Sequence, residues 1–220
     1  EDDDATIKAL ERTEVVIDSE QSIENASELA RQNYQLFLDL VGDDPNLGPE
    51  AMRRLADLEL EASEAETLSD NLQNVMLSSY DGAVDLYEQL LERYPNYERN
   101  DLVLYQLARA YESSGEIDAA LATLERLVAE YPDTIHRSEA EFRRGEMLFI
   151  NRRYADAEDA YRFLTDAESP GDFYLQSLYK LGWSQFKIAA HDDSLEPFFR
   201  LLDLRLIDSD PLGGLLFTED

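Results

Sequence analysis

A spacing of 37 residues runs through most of the chain. Small residues stand at Ala108, Gly145 and Gly182, and a second small series at Ala83, Ala120, Ala157 and Ser194. Four residues after each member of the second series comes a large apolar one: Tyr87, Leu124, Tyr161 and Phe198. The turn prolines Pro95 and Pro132 keep the same step, and Pro170 misses it by one. A chain that repeats itself at this period folds as a stack of like units, each needing its neighbours to bury its apolar face.

The unit reads as two helices. Leu104, Leu107, Ala108 and Tyr111 follow the i, i+3, i+4, i+7 spacing of an apolar stripe. Gly115 breaks the chain, and Ile117, Ala120, Leu121, Leu124, Leu127 and Val128 form a second stripe. Tyr131-Pro132-Asp133 ends it, because proline cannot continue a helix interior. Ala108 and Ala120 let the two backbones approach, and the larger residues fill the space around that contact.

These residues resemble the tetratricopeptide repeat family, whose pattern is matched by Leu104, Leu107, Ala108, Tyr111, Gly115, Ala120, Leu124, Leu127 and Pro132. The resemblance covers roughly 101 to 203 and implies an all-α fold, a right-handed α-solenoid of antiparallel helix hairpins. The family's usual period is about 34 residues, so the surplus is expected in the inter-repeat connection, as at Thr134–Arg137. The longer period is similar to that of repeats in bacterial envelope proteins, among them the periplasmic partner of the Tol–Pal system and the outer-membrane-assembly lipoprotein. A periplasmic or outer-membrane-associated location is the expectation this resemblance implies, with a cytoplasmic one as the alternative.

Four regions are expected. Residues 1–20 read as an acidic, partly extended or disordered segment, with Glu14–Asp18 extended. Residues 21–97 read as degenerate repeat-like helices: a half-repeat over Ala26–Val41, a first helix over Glu50–Leu58 and a second over Tyr80–Tyr94. An insertion near 62–76 accounts for the long gap between Ala56 and Ala108. Residues 98–207 read as three regular repeats. Residues 208–220 read as a tail, broken by Pro211 and Gly213-Gly214, whose apolar Leu215-Leu216-Phe217 suggests further repeats beyond Asp220.

Composition narrows the partners. The 220 residues carry 19 Lys+Arg against 49 Asp+Glu, a formal net charge of −30, which repels polyphosphate and disfavours nucleic-acid partners. Residues 1–70 hold 20 acids and 5 bases, the same net −15 that residues 71–220 spread over twice the length with 29 and 14. An acidic, arginine-retaining surface with lysine only at Lys8, Lys180 and Lys187 fits a salty or GC-rich source as well as a partner-facing field. No cysteine is present, which excludes disulfides and thiolate chemistry, and no apolar run suggests direct membrane insertion.

Motifs for catalysis are missing. The two histidines, His136 and His191, fall in different repeats; His136 reads as a surface-loop residue and His191 as a packing residue at a turn. No G-x-S-x-G, P-loop or G-x-G-x-x-G occurs, and no histidine pair has metal-ligand spacing. Asp2-Asp3-Asp4 and Asp43-Asp44 lack EF-hand spacing and read as solvated acids. A non-enzyme without cofactor or metal is therefore expected.

Binding to a protein or peptide is the stronger expectation. In such a superhelix the first helices line the concave face. The repeat register sets Tyr105, Phe142 and Tyr179 there, then Arg109, Glu146 and Trp183, then Glu112, Phe149 and Phe186, with Lys187 adding a positive charge. These form an expected aromatic ladder, densest where Tyr179, Trp183 and Phe186 converge. Such aromatics also serve the family as packing residues, so groove and core remain open alternatives. The family's capture of C-terminal carboxylates uses lysine and asparagine where Tyr105 and Arg109 stand, which argues against that activity here. The arginines between Arg137 and Arg162 are matched by neighbouring acids and are expected to pair internally. The reading is an interaction scaffold of a cell-envelope assembly; a structural spacer, or a regulatory region attached to an enzyme domain, is the alternative.

Overall fold

The computed structural model describes residues 19–41, 44–68, 80–167 and 171–207, and among them nine helices and no strand. In chain order these are α1 (Ser19–Val41), α2 (Gly48–Leu68), α3 (Asp81–Arg93), α4 (Asn100–Ser114), α5 (Ile117–Glu130), α6 (Arg137–Ile150), α7 (Tyr154–Thr165), α8 (Tyr174–Lys187) and α9 (His191–Ile207). Each packs on the helix before and the helix after it, and α2 also meets α4. The pairs α4/α5, α6/α7 and α8/α9 repeat at the 37-residue step, and the result is an all-α helical-repeat solenoid.

The turn inside each pair shows why the units superpose. α4 closes on Gly115, whose φ of 84° is left-handed; the Gly115 amide donates to Glu112 O and the Glu116 amide to Tyr111 O. That is the paired bond pattern of a Schellman cap. One period later Arg152 takes φ 60°, and one further Ala189 takes φ 65°, each with the same two backbone bonds. A left-handed L-residue costs about 1–2 kcal/mol, of which glycine's extra chain entropy cancels about half. Ala189→Gly is therefore expected to stabilise the protein by about 0.5–1 kcal/mol, seen as a higher urea midpoint at unchanged slope. A lower midpoint would show that the Ala189 methyl packs more than its backbone strains.

Between pairs the connections are equally regular. From Tyr94 to Asn100 and from Tyr131 to Arg137 the chain makes two successive turns, each closed by an amide bonding back three residues. The Asn100 side-chain amide, buried, donates to Tyr94 O and Pro95 O and ties the first connection to the start of α4. Thr134 donates to Asp101 at 2.7 Å and ties the second to the same helix.

One apolar core runs from Met52 to Leu181. Tyr87, Leu124 and Tyr161 of the large series are fully buried, and each such side chain contributes roughly 1.5–3 kcal/mol. The small series faces them. An added Cβ at Gly145 would lie 2.6 Å from the Tyr161 ring, and one at Gly182 would lie 2.7 Å from Phe198. These glycines are needed for close approach, not for backbone freedom.

The first part of the chain is helical from Ser19. The half-repeat expected over Ala26–Val41 belongs to α1, a helix of 23 residues that packs on α2. Residues 62–68 of the expected insertion continue α2 without a break, while 69–76 lie outside the described residues. Leu60 and Ser63 are buried, which explains the extension: α2 keeps an inward face past the point where Leu58 was expected to end it. The acidic segment before Ser19, with its extended Glu14–Asp18, and the tail 208–220 also lie outside the described residues.

Candidate protein-binding groove

The first helices of successive pairs, α2, α4, α6 and α8, are joined by ion pairs along one face. Arg109 on α4 reaches back to Glu64 on α2 at 2.6 Å. Arg143 on α6 reaches Glu112 on α4 at 2.6 Å, and Lys180 on α8 reaches Glu146 on α6 at 2.8 Å. This is the face on which the register places the expected groove residues.

From α4 to α6 that face is largely closed by its own contacts. The Tyr105 ring is buried and stacks on His136, centroids 4.5 Å apart and planes 11° from parallel. His136, expected as a surface-loop residue, is half-buried instead, because the connection before α6 folds back over α4. Burial pushes the Tyr105 phenol pKa up, and its hydrogen bond to Glu139 adds to the shift. Burial works against the Glu139 carboxylate too, but hydrogen bonds from Tyr105 and Arg143 outweigh it and hold that pKa below the usual range. Phe142 stacks on Phe173 at 4.8 Å. Phe149 meets Tyr154 edge-on at 5.2 Å and takes the Lys180 ammonium over its face. Glu146 accepts from both Lys180 and the Tyr161 hydroxyl, whose pKa is pushed up by burial and by that carboxylate. The expected ladder is thus three separate packed sets: the start of the following unit meets Tyr105 and Phe142, and Tyr154 of the same hairpin meets Phe149.

At α8 the face opens. Tyr179 and Trp183 lie edge-to-face at 6.2 Å, and Trp183 and Phe186 at 5.7 Å. Phe198 on α9 supports both Tyr179 and Trp183 from behind. Phe186 is 47% exposed, and Lys187 beside it is exposed. The Trp183 indole nitrogen is shielded from solvent and meets no acceptor among the described residues. The structure therefore brings together Tyr179, Trp183, Phe186 and Lys187, and holds Tyr105, Arg109, Phe142, Glu146 and Phe149 in contacts of their own.

Five of the six arginines of the third unit pair as expected, and Arg152 has no ion-pair partner among the described residues. Arg143 also binds Glu139, Arg144 and Arg137 both reach Glu141, Arg153 binds Asp156, and Arg162 binds Glu158. Glu141 occupies the core place that Leu104 holds one period earlier and is 4% exposed. Its two arginines make that burial tolerable. The 37-residue step sets Glu141 at this core place, and the matching of arginines by acids in this unit is the sequence signal of the pairing that lets it be buried.

A stack of helix pairs with an inner face of first helices and aromatics gathered at one end has the form of a protein-interaction scaffold. The tetratricopeptide repeat family matches over residues 50–97 and again over 76–140. Over residues 50–140 the chain thus carries repeats of that family, and the hairpins α6/α7 and α8/α9 continue the same helix-pair form. No curated protein matches it at a significant level. Among solved structures it is similar to MamA 41-end from Desulfovibrio magneticus RS-1, at 16% identity and a TM-score of 0.57, covering 87% of this chain and 93% of that one. It is similar to the nearly identical TPR-like repeats of a Podosopora anserina kinesin light chain, at 15% identity and a TM-score of 0.62, covering 87% and 91%. It is also similar to YrrB, a TPR protein with an unusual peptide-binding site, at 18% identity and a TM-score of 0.58, covering 83% and 80%. At these identities the likeness is one of fold.

Proposed function

We propose that this protein is a non-catalytic scaffold that holds a segment of a partner protein on the α8 end of its concave groove, within a bacterial cell-envelope assembly. The observation that carries the groove is the contrast along one face. Aromatic side chains are packed by the protein itself from α4 to α6, whereas Phe186 and Lys187 stand open beside Tyr179 and Trp183. Aromatic anchors of this kind carry a disproportionate share of binding energy. The bond to YrrB is one of fold, and its peptide-binding site supports a peptide ligand here by analogy only. The envelope setting rests on the long repeat period and the absence of cysteine.

Photo-cross-linking from position 187 in extract of the source cells tests this. Tyr179→Ala with Trp183→Ala is expected to reduce capture of the cross-linked partner by about tenfold or more, while circular dichroism shows the helices intact. Unchanged capture would remove the α8 end from the mechanism.

A second reading, a spacer within a longer repeat array, is favoured by the outer face of α9. Leu195 is 52% exposed where Leu121, two repeats earlier, is 5% exposed. A further stacked hairpin would cover it, and in that arrangement the same truncations leave capture unchanged.

A further inference from the structure

The second helices form an outer row, and between α3 and α5 that row parts over a cleft of about 500 Å3. Its floor is α4, through the buried side chains of Leu104 and Leu107 with Tyr111 beside them. One wall is α3, which presents Glu88 and Glu92, one helical turn apart and both exposed. The other wall is α5, with Arg126.

Charge distinguishes this cleft from the inner face. Along the inner face Glu64, Glu112 and Glu146 each have a cation of the protein's own within 2.8 Å. Here Arg126 is taken by Glu130 on its own helix at 2.8 Å. Glu88 receives only the Tyr111 hydroxyl, through one oxygen, and Glu92 has no cation partner among the described residues. The walls therefore leave two carboxylates uncompensated above an apolar floor. That combination suits a side chain with an apolar stem and a planar, multidentate cation at its tip, which is arginine.

We propose that this outer cleft docks an arginine-bearing amphipathic segment of a partner protein. The methylene stem lies along Leu104 and Leu107, the guanidinium spans Glu88 and Glu92, and a neighbouring apolar residue fills the cleft towards Ala122. The site is on the opposite row of helices from the α8 groove and does not depend on it.

Fluorescence anisotropy with a labelled synthetic helix of leucine and arginine at amphipathic spacing tests the proposal, with the same peptide carrying glutamate for arginine as a control. Glu88→Gln with Glu92→Gln keeps an acceptor for Tyr111 and is expected to weaken binding by about tenfold at low salt. Ala122→Trp fills the cleft without changing the charge, at an exposed position, and is expected to weaken it comparably. Asp133→Asn with Asp159→Asn removes the same charge elsewhere on the surface and is expected to cost less than about twofold. Trp183→Ala is expected to change nothing. Equal losses in the cleft pair and the remote pair would mean a diffuse acidic field and overturn the proposal. So would displacement of the peptide by spermidine at matched ionic strength, or a neutral result for Ala122→Trp.

Discussion

Arg53→Met is expected to destabilise the protein by about 2–3 kcal/mol. The Arg53 side chain is only 3% exposed and holds two carboxylates on its own helix. Its Nη1 donates to Asp57 at 2.6 Å, and its Nη2 and Nε donate to Glu50 at 2.7 and 3.2 Å. Both acids in turn anchor neighbouring elements. Asp57 accepts the hydroxyl of the fully buried Tyr87 on α3, and Glu50 accepts that of Tyr97 in the connection before α4. Removing the guanidinium leaves Asp57 largely enclosed without its cation. Breaking a buried pair typically costs about 3–5 kcal/mol, and the partial exposure of both acids places this case below that range.

The same variant has a pH signature. The Arg53 hydrogen bonds, with that of Tyr97 behind them, outweigh burial and hold the Glu50 pKa at about 2, below its ordinary 4.5. A carboxyl depressed in the folded state contributes stability that is fully present above its unfolded pKa and is lost as pH falls through the folded one. The stability gap between wild type and Arg53→Met should therefore be constant above about pH 5 and narrow between 4.5 and 2. Relief of self-repulsion among the other acids affects both proteins and cancels in the difference. A gap independent of pH would show that Arg53 acts through packing alone. Arg53→Met combined with Asp57→Asn should recover part of the loss, because it removes the enclosed orphan charge while the amide oxygen still accepts from Tyr87.

The hairpins were legible because helix packing imposes a period on the residues that touch within a unit. Ala108 with Leu124, Gly145 with Tyr161 and Gly182 with Phe198 keep both their character and their spacing. Contacts between units follow that rule only in part: Tyr105 on His136 and Phe142 on Phe173 are one contact repeated at the 37-residue step, whereas the ion pairs keep no common spacing. Glu112 meets Arg143, Glu146 meets Lys180 and Glu64 meets Arg109, at separations of 31, 34 and 45 residues, so no constant step predicts the partner. Tyr105 could be placed on the inner face from its register, but not its stacking partner, since the place held by His136 is Arg99 one period earlier and Phe173 one later and so has no common residue type. Two of the three left-handed caps were hidden for another reason. Arg152 and Ala189 fill a place where only Gly115 carries the residue that marks such a cap. The end of the groove was legible as aromatic density at Tyr179, Trp183 and Phe186, whereas its separation from the rest of the face depends on those inter-unit contacts.

Gly145→Ala is expected to destabilise the protein by about 1–2 kcal/mol, against the usual gain from replacing a helical glycine. Alanine in a helix interior is favoured over glycine by about 1 kcal/mol. Here its Cβ would stand 2.6 Å from Cε1 and 2.8 Å from Cζ of Tyr161, closer than any carbon contact allows. The ring has no exposed side towards which to yield, being fully buried, and its hydroxyl is bonded to Glu146. Overpacking of this kind costs about 1–3 kcal/mol and exceeds the propensity gain. Gly182→Ala meets Phe198 at 2.7 Å, but Phe198 is only half-buried and makes no hydrogen bond, so its cost should be smaller. The register supplies the rescue, since Ala108 is tolerated one period earlier where Leu124 replaces the aromatic. Tyr161→Leu alone should cost about 2–4 kcal/mol through the void it leaves and the hydroxyl it takes from Glu146. Combined with Gly145→Ala, the total should fall short of the sum of the two by about 1–2 kcal/mol. Urea melts of the four proteins in the cycle measure this, and strictly additive losses would show that the glycine is kept for some reason other than the ring. The contact also reaches the inner face: Tyr161 holds one oxygen of Glu146 and Lys180 the other. Displacing the ring should therefore loosen the link between α6 and α8 as well as the hairpin.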